Sequence, residues 1–205
     1  IRVIDYKSGR KEFRLCDVLA GINLQMLVYL FAIKRAGQGR YGETVPAGIL
    51  YYPAAAPAPV AERSDSPEQI MDKKLKGSRM NGLVLDDETV ILGMDRSGSG
   101  CFVPVKPGKP DNIASLEQLG KLNQKVDALL AGMASLLVEG RIEALPAVSG
   151  DEVPCRFCDY APVCGVDPAV HSRKIERLKN IETLRQLEEK EDEPDEMDSP
   201  AAQGD

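Results

Sequence analysis

The 205 residues are 43% hydrophobic and 28% charged, with a formal net charge of −6, a balance that reads as one globular domain with an appendage. The longest apolar run, residues 22–33, is broken by Asn23 and Gln25 and falls short of the ~18 residues of a membrane span, so no membrane role is expected. Five cysteines, three of them within ten residues, argue against a secreted disulfide framework and for a cytoplasmic protein with a metal or cluster site.

In chain order, Ile1-Arg2-Val3-Ile4-Asp5-Tyr6 alternates as a strand does, and Ser8-Gly9 closes it. A strand bearing chemistry at the first residue suggests a fragment of a longer polypeptide. Residues 1–14 hold five bases against two acids. A helix is expected over Asp17–Arg35, capped by Asp17 and ended by Gly37 and Gly39. Its apolar residues occupy more than one face, so it should be mostly buried. A second strand is expected over 47–52, stopped by Pro53. The Ala/Pro-rich and then polar stretch 53–80 reads as a linker or mobile insertion.

Leu83–Leu85 and Thr89–Leu92 flank Asp86-Asp87-Glu88, the pattern of a hairpin. Gly98-Ser99-Gly100 reads as a turn, and Phe102–Val105 as a short edge strand. Ser115 with Gln118 forms a capping box that opens an amphipathic helix over Leu116–Glu139, closed by Gly140. Residues 146–168 are rich in Cys and Pro and should be irregular. A charged helix is expected over 169–190, then a disordered acidic tail over 191–205. From Glu188 to Asp205 there are nine acids and one base. The acidity sits in that tail and leaves a body of about +2, able to meet a polyanion.

Three groups of residues point to chemistry. In a strand, Asp5 and Lys7 share a face. A carboxylate there can ligate Mg²⁺, and a lysine can stabilise charge on a phosphate or position water. Gln25 and Tyr29 are four apart on the next helix and share its face. Cys155, Cys158 and Cys164 form C-x2-C-x5-C between Pro154 and Gly165. Zinc and iron–sulfur sites usually take four donors. The candidates for the fourth are His171, Cys16, Cys101 or a Cys outside this chain. There is no G-x-x-x-x-G-K-[ST] and no G-x-S-x-G, so neither an ATP-binding P-loop nor a serine-hydrolase triad is supported.

The order of these signals is informative: D-x-K on a strand, Q-x-x-x-Y on a helix, then distal cysteines. It resembles the RecB-like branch of the PD-(D/E)xK nucleases that carry an iron–sulfur cluster. The residues that carry the likeness are Ile4-Asp5-Tyr6-Lys7-Ser8-Gly9, Leu24–Tyr29, Ala47–Tyr52 and Pro154–Gly165. Over about residues 1–168 the chain is similar to the C-terminal nuclease domain of the AddB family, the nuclease-bearing partners of AddA in bacterial AddAB helicase–nucleases.

The resemblance implies an α/β fold, a partial restriction-endonuclease-like core with a mixed sheet flanked by helices. Residues 1–145 would form that core and 146–168 the iron–sulfur segment. It implies an Mg²⁺-dependent DNA exonuclease within a complex that processes double-strand ends for recombinational repair. DNA ends, single strands and an AddA-like helicase–nuclease subunit would be the partners. Asp5 would be a metal ligand, Lys7 the motif lysine, and Gln25 and Tyr29 accessory residues. Cys155, Cys158 and Cys164 would hold three corners of a [4Fe–4S] cluster. The family's first metal-binding Asp and first cluster Cys would lie upstream of Ile1, leaving this fragment inactive alone. The rivals are a zinc-stapled binding module on the three cysteines and His171, and a structural subunit that docks a helicase.

Overall fold

The computed structural model describes residues 1–55, 58–98, 100–105 and 110–189. Strand β1 (Arg2–Lys7) pairs in parallel with β2 (Gly48–Pro53). β2 pairs antiparallel with β3 (Asn81–Leu85), and β3 pairs in parallel with the short β4 (Ile113–Ala114). The result is a four-stranded mixed sheet in sequential order. Gly48 and Gly82 permit the tight β2–β3 approach. A Cβ on Gly48, whose φ is +143°, would lie 2.4 Å from the Leu83 carbonyl oxygen.

Strand alternation sorts the sheet into two faces. Val3, Ile49, Tyr51, Leu83, Leu85 and Ala114 face the larger core. That core is closed by helices α1 (Leu15–Leu19), α2 (Gln25–Ala36), α6 (Leu116–Val138) and α8 (Asn180–Glu189), through Leu15, Leu27, Leu30, Leu122 and Leu184. Each such fully buried leucine stabilises the fold by roughly 1.5–3 kcal/mol. Ile4, Leu50 and Val84 face the other way and meet Val103 with Ile91 and Met94 of α5 (Glu88–Met94). The expected α/β architecture is therefore present, with helices on both faces of a mixed sheet.

Several local expectations need correction. The expected helix over 17–35 is two helices, α1 and α2. The chain turns between them with Gly21 at φ +82° and Asn23 at φ +59°. Asn23 is held there because its amide donates to Asp17 and its carbonyl accepts from Lys11, a local bonding that competes with helix. Asp17 lies inside α1 rather than capping it. A short helix α3 (Gln38–Tyr41) follows Gly37.

The stretch 53–80 holds helix α4 (Pro67–Gly77), opened by Ser66 and Gln69 as a full capping box with Pro67 in the first turn. The expected hairpin around Asp86–Glu88 is a strand followed by α5. The Asp87 side chain accepts from the Val90 N–H and starts a helix in place of the second strand. Phe102–Val105 forms no strand. The Ser115–Gln118 box and α6 match the sequence closely.

The Cys-rich segment contains β5 (Ala147–Ser149), a 3-10 turn over Pro154–Phe157 and the single turn α7 (Ala161–Cys164). β5 pairs in parallel with β6 (Arg173–Ile175). The charged helix is therefore shorter than expected, since β6 occupies its first turns and α8 begins only at Asn180. The expected acidic tail, 191–205, lies outside the described residues.

Candidate active site and cysteine pocket

The end of β1 carries the first group. Lys7 Nζ lies 2.6 Å from Asp5 Oδ2, and the two side chains are 36% and 30% exposed. They are open enough to receive a substrate and close enough to act together. The hydrogen bond to Asp5 holds the Lys7 amine above its usual range, against partial desolvation and with help from the Asp5 charge. Tyr51 is the β2 register partner of Asp5. Its ring lies under the ammonium, with Nζ 5.6 Å from the centroid. Burial pushes the Tyr51 phenol upward, the Lys7 charge opposes that, and Asp5 adds to it. The ring is thus neutral at ordinary pH.

Helix α2 carries the second group. Gln25 Nε2 donates to Tyr29 Oη at 3.1 Å. Tyr29 is 49% exposed, while Met26, Leu27 and Leu30 on the opposite side of the same turns are buried. Because α2 packs on the sheet face that bears Val3 and Tyr51, the Gln25–Tyr29 pair belongs to the same side of the sheet as Asp5 and Lys7. No hydrogen bond or ion pair joins the two pairs among the described residues.

The third group surrounds a separate depression. Cys155, Cys158 and Cys164 line one pocket of about 340 Å³ with Ala144, Leu145, Pro146, Pro154, Ala161 and Val166. The backbone folds tightly there: Cys158 N–H donates to the Cys155 carbonyl at 3.3 Å, and Cys164 N–H to the Tyr160 carbonyl at 2.9 Å. Gly165, with φ +68°, ends the turn. All three are free thiols. Among the described residues no three of His, Cys, Asp and Glu converge to hold a single metal ion. Of the candidate fourth donors, His171 and Cys101 do not line this pocket, and Cys16 is buried within α1.

A family model described as the PD-(D/E)XK nuclease superfamily matches residues 1–165. The chain belongs to this superfamily. The matched span contains Asp5, Lys7, Gln25, Tyr29 and all three pocket cysteines. Among curated relatives, the chain is similar to the B subunit of the ATP-dependent helicase/deoxyribonuclease of Thermoanaerobacter sp. strain X514, 34% identical over 187 residues and 87% of this chain. The protein of the same name from Symbiobacterium thermophilum is 34% identical over 89% of the chain. That from Clostridium tetani is 33% identical over 83%. The chain spans about 16% of the length of each. No helix among the described residues is long and apolar enough to cross a membrane.

Two features of this PD-(D/E)XK chain are not evident from sequence pattern. Tyr51 is legible there only as part of a strand, although the alternation Ile49, Tyr51 signals a shared face. The second is an ionic clamp. Glu152, three residues before Cys155, accepts from Arg14 Nη1 at 3.0 Å and from Arg14 Nη2 at 2.6 Å. Arg177 lies 3.0 Å from the same carboxylate and donates to the Ser149 carbonyl at 2.8 Å. Arg14 Nε also donates to the buried Asp17 at 3.0 Å. The clamp ties the cysteine segment to the start of α1. No local sequence pattern announces it, because its partners are 138 positions apart.

Proposed function

We propose that this chain is the catalytic portion of a deoxyribonuclease subunit that acts beside a helicase and digests DNA from double-strand ends as an Mg²⁺-dependent exonuclease. The observation that carries the reading is the Asp5–Lys7 pair on β1, half-open to solvent, in a chain of the PD-(D/E)XK superfamily. The names of its relatives, B subunits of an ATP-dependent helicase/deoxyribonuclease, support DNA as substrate and a helicase subunit as partner. Recombinational repair and a cytoplasmic location fit that work.

In this reading Asp5 offers the hard oxygen donor that Mg²⁺ prefers. Bound there, the ion would supply charge neutralisation at the phosphate and a more acidic water. Lys7 holds a positive charge beside the scissile phosphate and stabilises the negative charge that develops on it. Gln25 and Tyr29, already joined by a hydrogen bond, present a donor and a hydroxyl to the same substrate. Asp5 is one carboxylate, and the site needs further oxygen ligands. Those come from elsewhere in the full-length protein, and the isolated chain is expected to be inactive.

The cysteine pocket suits an iron–sulfur cluster. A lone ion needs its sulfurs within ~2.3 Å of one point, whereas a cluster spreads its ligands over separate irons. Three free thiols around one mostly apolar depression match the second arrangement. Cys155, Cys158 and Cys164 would hold three corners, and a Cys elsewhere in the full-length protein the fourth. That His171 does not line the pocket weighs against zinc on Cys₃His. The cluster's role is structural, holding the C-terminal segment in place.

Lys7→Ala in the full-length protein tests the reading. Cleavage of linear DNA with Mg²⁺ should vanish while DNA binding persists; retained cleavage would sink the assignment.

A further inference from the structure

We propose that Tyr51 is a positioning residue whose ring face holds the Lys7 ammonium over the reaction centre. The inference rests on the reading of Asp5 and Lys7 given above.

Lys7 has two anchors. One is the Asp5 carboxylate at 2.6 Å. The other is the Tyr51 ring, its centroid 5.6 Å from Nζ, within the ~6 Å at which an ammonium is attracted to an aromatic face. The first anchor is conditional. A carboxylate that gives its oxygens to a cation loses much of its hold on a neighbouring lysine, and the cation repels the ammonium. The second anchor carries no charge and does not compete for the cation.

The ring is well fixed for this role. Tyr51 is only 5% exposed, packs in the larger core, and sits in the β1–β2 ladder directly opposite Asp5. It is the ring face that Lys7 Nζ lies over. A lysine on a four-carbon stem has many rotamers. One rigid electron-rich face reduces them at the point where its charge is needed.

The test replaces Tyr51 in the full-length protein with phenylalanine and with tri- and pentafluorophenylalanine. These fluorinated rings keep the shape of phenylalanine and progressively remove the negative ring face, so packing is held nearly constant. Tyr51→Phe should cleave DNA at close to the wild-type rate. The pentafluoro variant should lose about tenfold in kcat with an unchanged KM for DNA, and the trifluoro variant should fall between. A second readout needs no metal. The ¹³C-methyl resonance of reductively methylated Lys7, assigned through Lys7→Arg, should be displaced upfield by the ring. That displacement should persist in Tyr51→Phe and vanish in Tyr51→Leu. Equal kcat across the fluorinated series, or an equal loss in Tyr51→Phe and the pentafluoro variant, overturns the role of the ring face. Lys7→Ala run in parallel separates the two claims. If it is inactive while the series is flat, only this inference falls; if it is active, the assignment of Lys7 itself falls.

Discussion

Glu152 and Arg14 meet as a two-pronged fork, with hydrogen bonds of 3.0 and 2.6 Å that join positions 138 residues apart. Arg14 is 20% exposed and Glu152 60%. The carboxylate also takes Arg177 at 3.0 Å. The clamp is the polar hinge by which the cysteine segment is fastened to the nuclease core.

Its contribution should depend on pH in a definite direction. The hydrogen bond from Arg14, then its charge and that of Arg177, hold the Glu152 carboxyl below the ordinary glutamate value of 4.5. A group depressed in the folded state stabilises the fold above its unfolded value and stops doing so as pH falls through the folded one. Glu152→Gln should therefore cost about 0.5–1 kcal/mol at pH 7, a figure already reduced for solvent screening, and progressively less as pH falls below the ordinary glutamate value of 4.5. Thermal unfolding across that pH range checks this.

Asn180 makes a stronger structural prediction. It is buried, with its carbonyl accepting from the Leu15 N–H at 2.7 Å. Its amide donates to Asn112 Oδ1 at 3.1 Å and to the Phe13 carbonyl at 3.4 Å. Asn180→Leu would leave a buried N–H and a buried carbonyl unpaired, at a cost of about 2–4 kcal/mol. A lowered denaturation midpoint with an unchanged m-value is the expected signature.

Gln25 and Tyr29 should behave oppositely. Tyr29 is half-exposed, and a single exposed hydrogen bond joins the pair, so Gln25→Leu and Tyr29→Phe should each change stability by less than about 0.5 kcal/mol. Activity of the full-length protein should fall at least tenfold in each. Full activity in both would show that the pair plays no part in cleavage.

The pocket cysteines give the fourth prediction. Cys155→Ser, Cys158→Ser and Cys164→Ser in the full-length protein, prepared without oxygen, should each abolish the visible iron–sulfur absorbance and the bound iron. The larger core draws nothing from Cys155, Cys158 or Cys164. Amide exchange in β1, α2 and α6 should therefore stay close to wild type, and loss of protection should concentrate in 147–175.

Much of the fold and the site could be read from the residues alone. Alternation in β1 and β2 and the Ser115–Gln118 box are local signals, and local backbone preference was enough to place those elements. Spacing alone also put Asp5 beside Lys7 and Gln25 beside Tyr29, because strand and helix periodicity determine which near neighbours share a face. The three cysteines likewise fall within one short loop that closes on itself.

What local pattern could not decide was decided by tertiary contact. Thr89–Leu92 has strand-like residues, yet it lies in a helix, capped locally by Asp87, because Ile91 and Met94 there cover Leu50 and Val84 on the second sheet face. The long apolar stretch after Asp17 breaks at Asn23 because Asp17 and Lys11 hold the Asn23 side chain. Tyr51 comes to lie under Lys7 only through the β1–β2 register. The Glu152 clamp exists only once residues far apart in sequence are packed together. Periodicity is a property of neighbours in the chain, and so the sequence alone determined the motif pairs. Pairings across the sheet and between segments depend on which surfaces bury each other, and only the folded structure shows those.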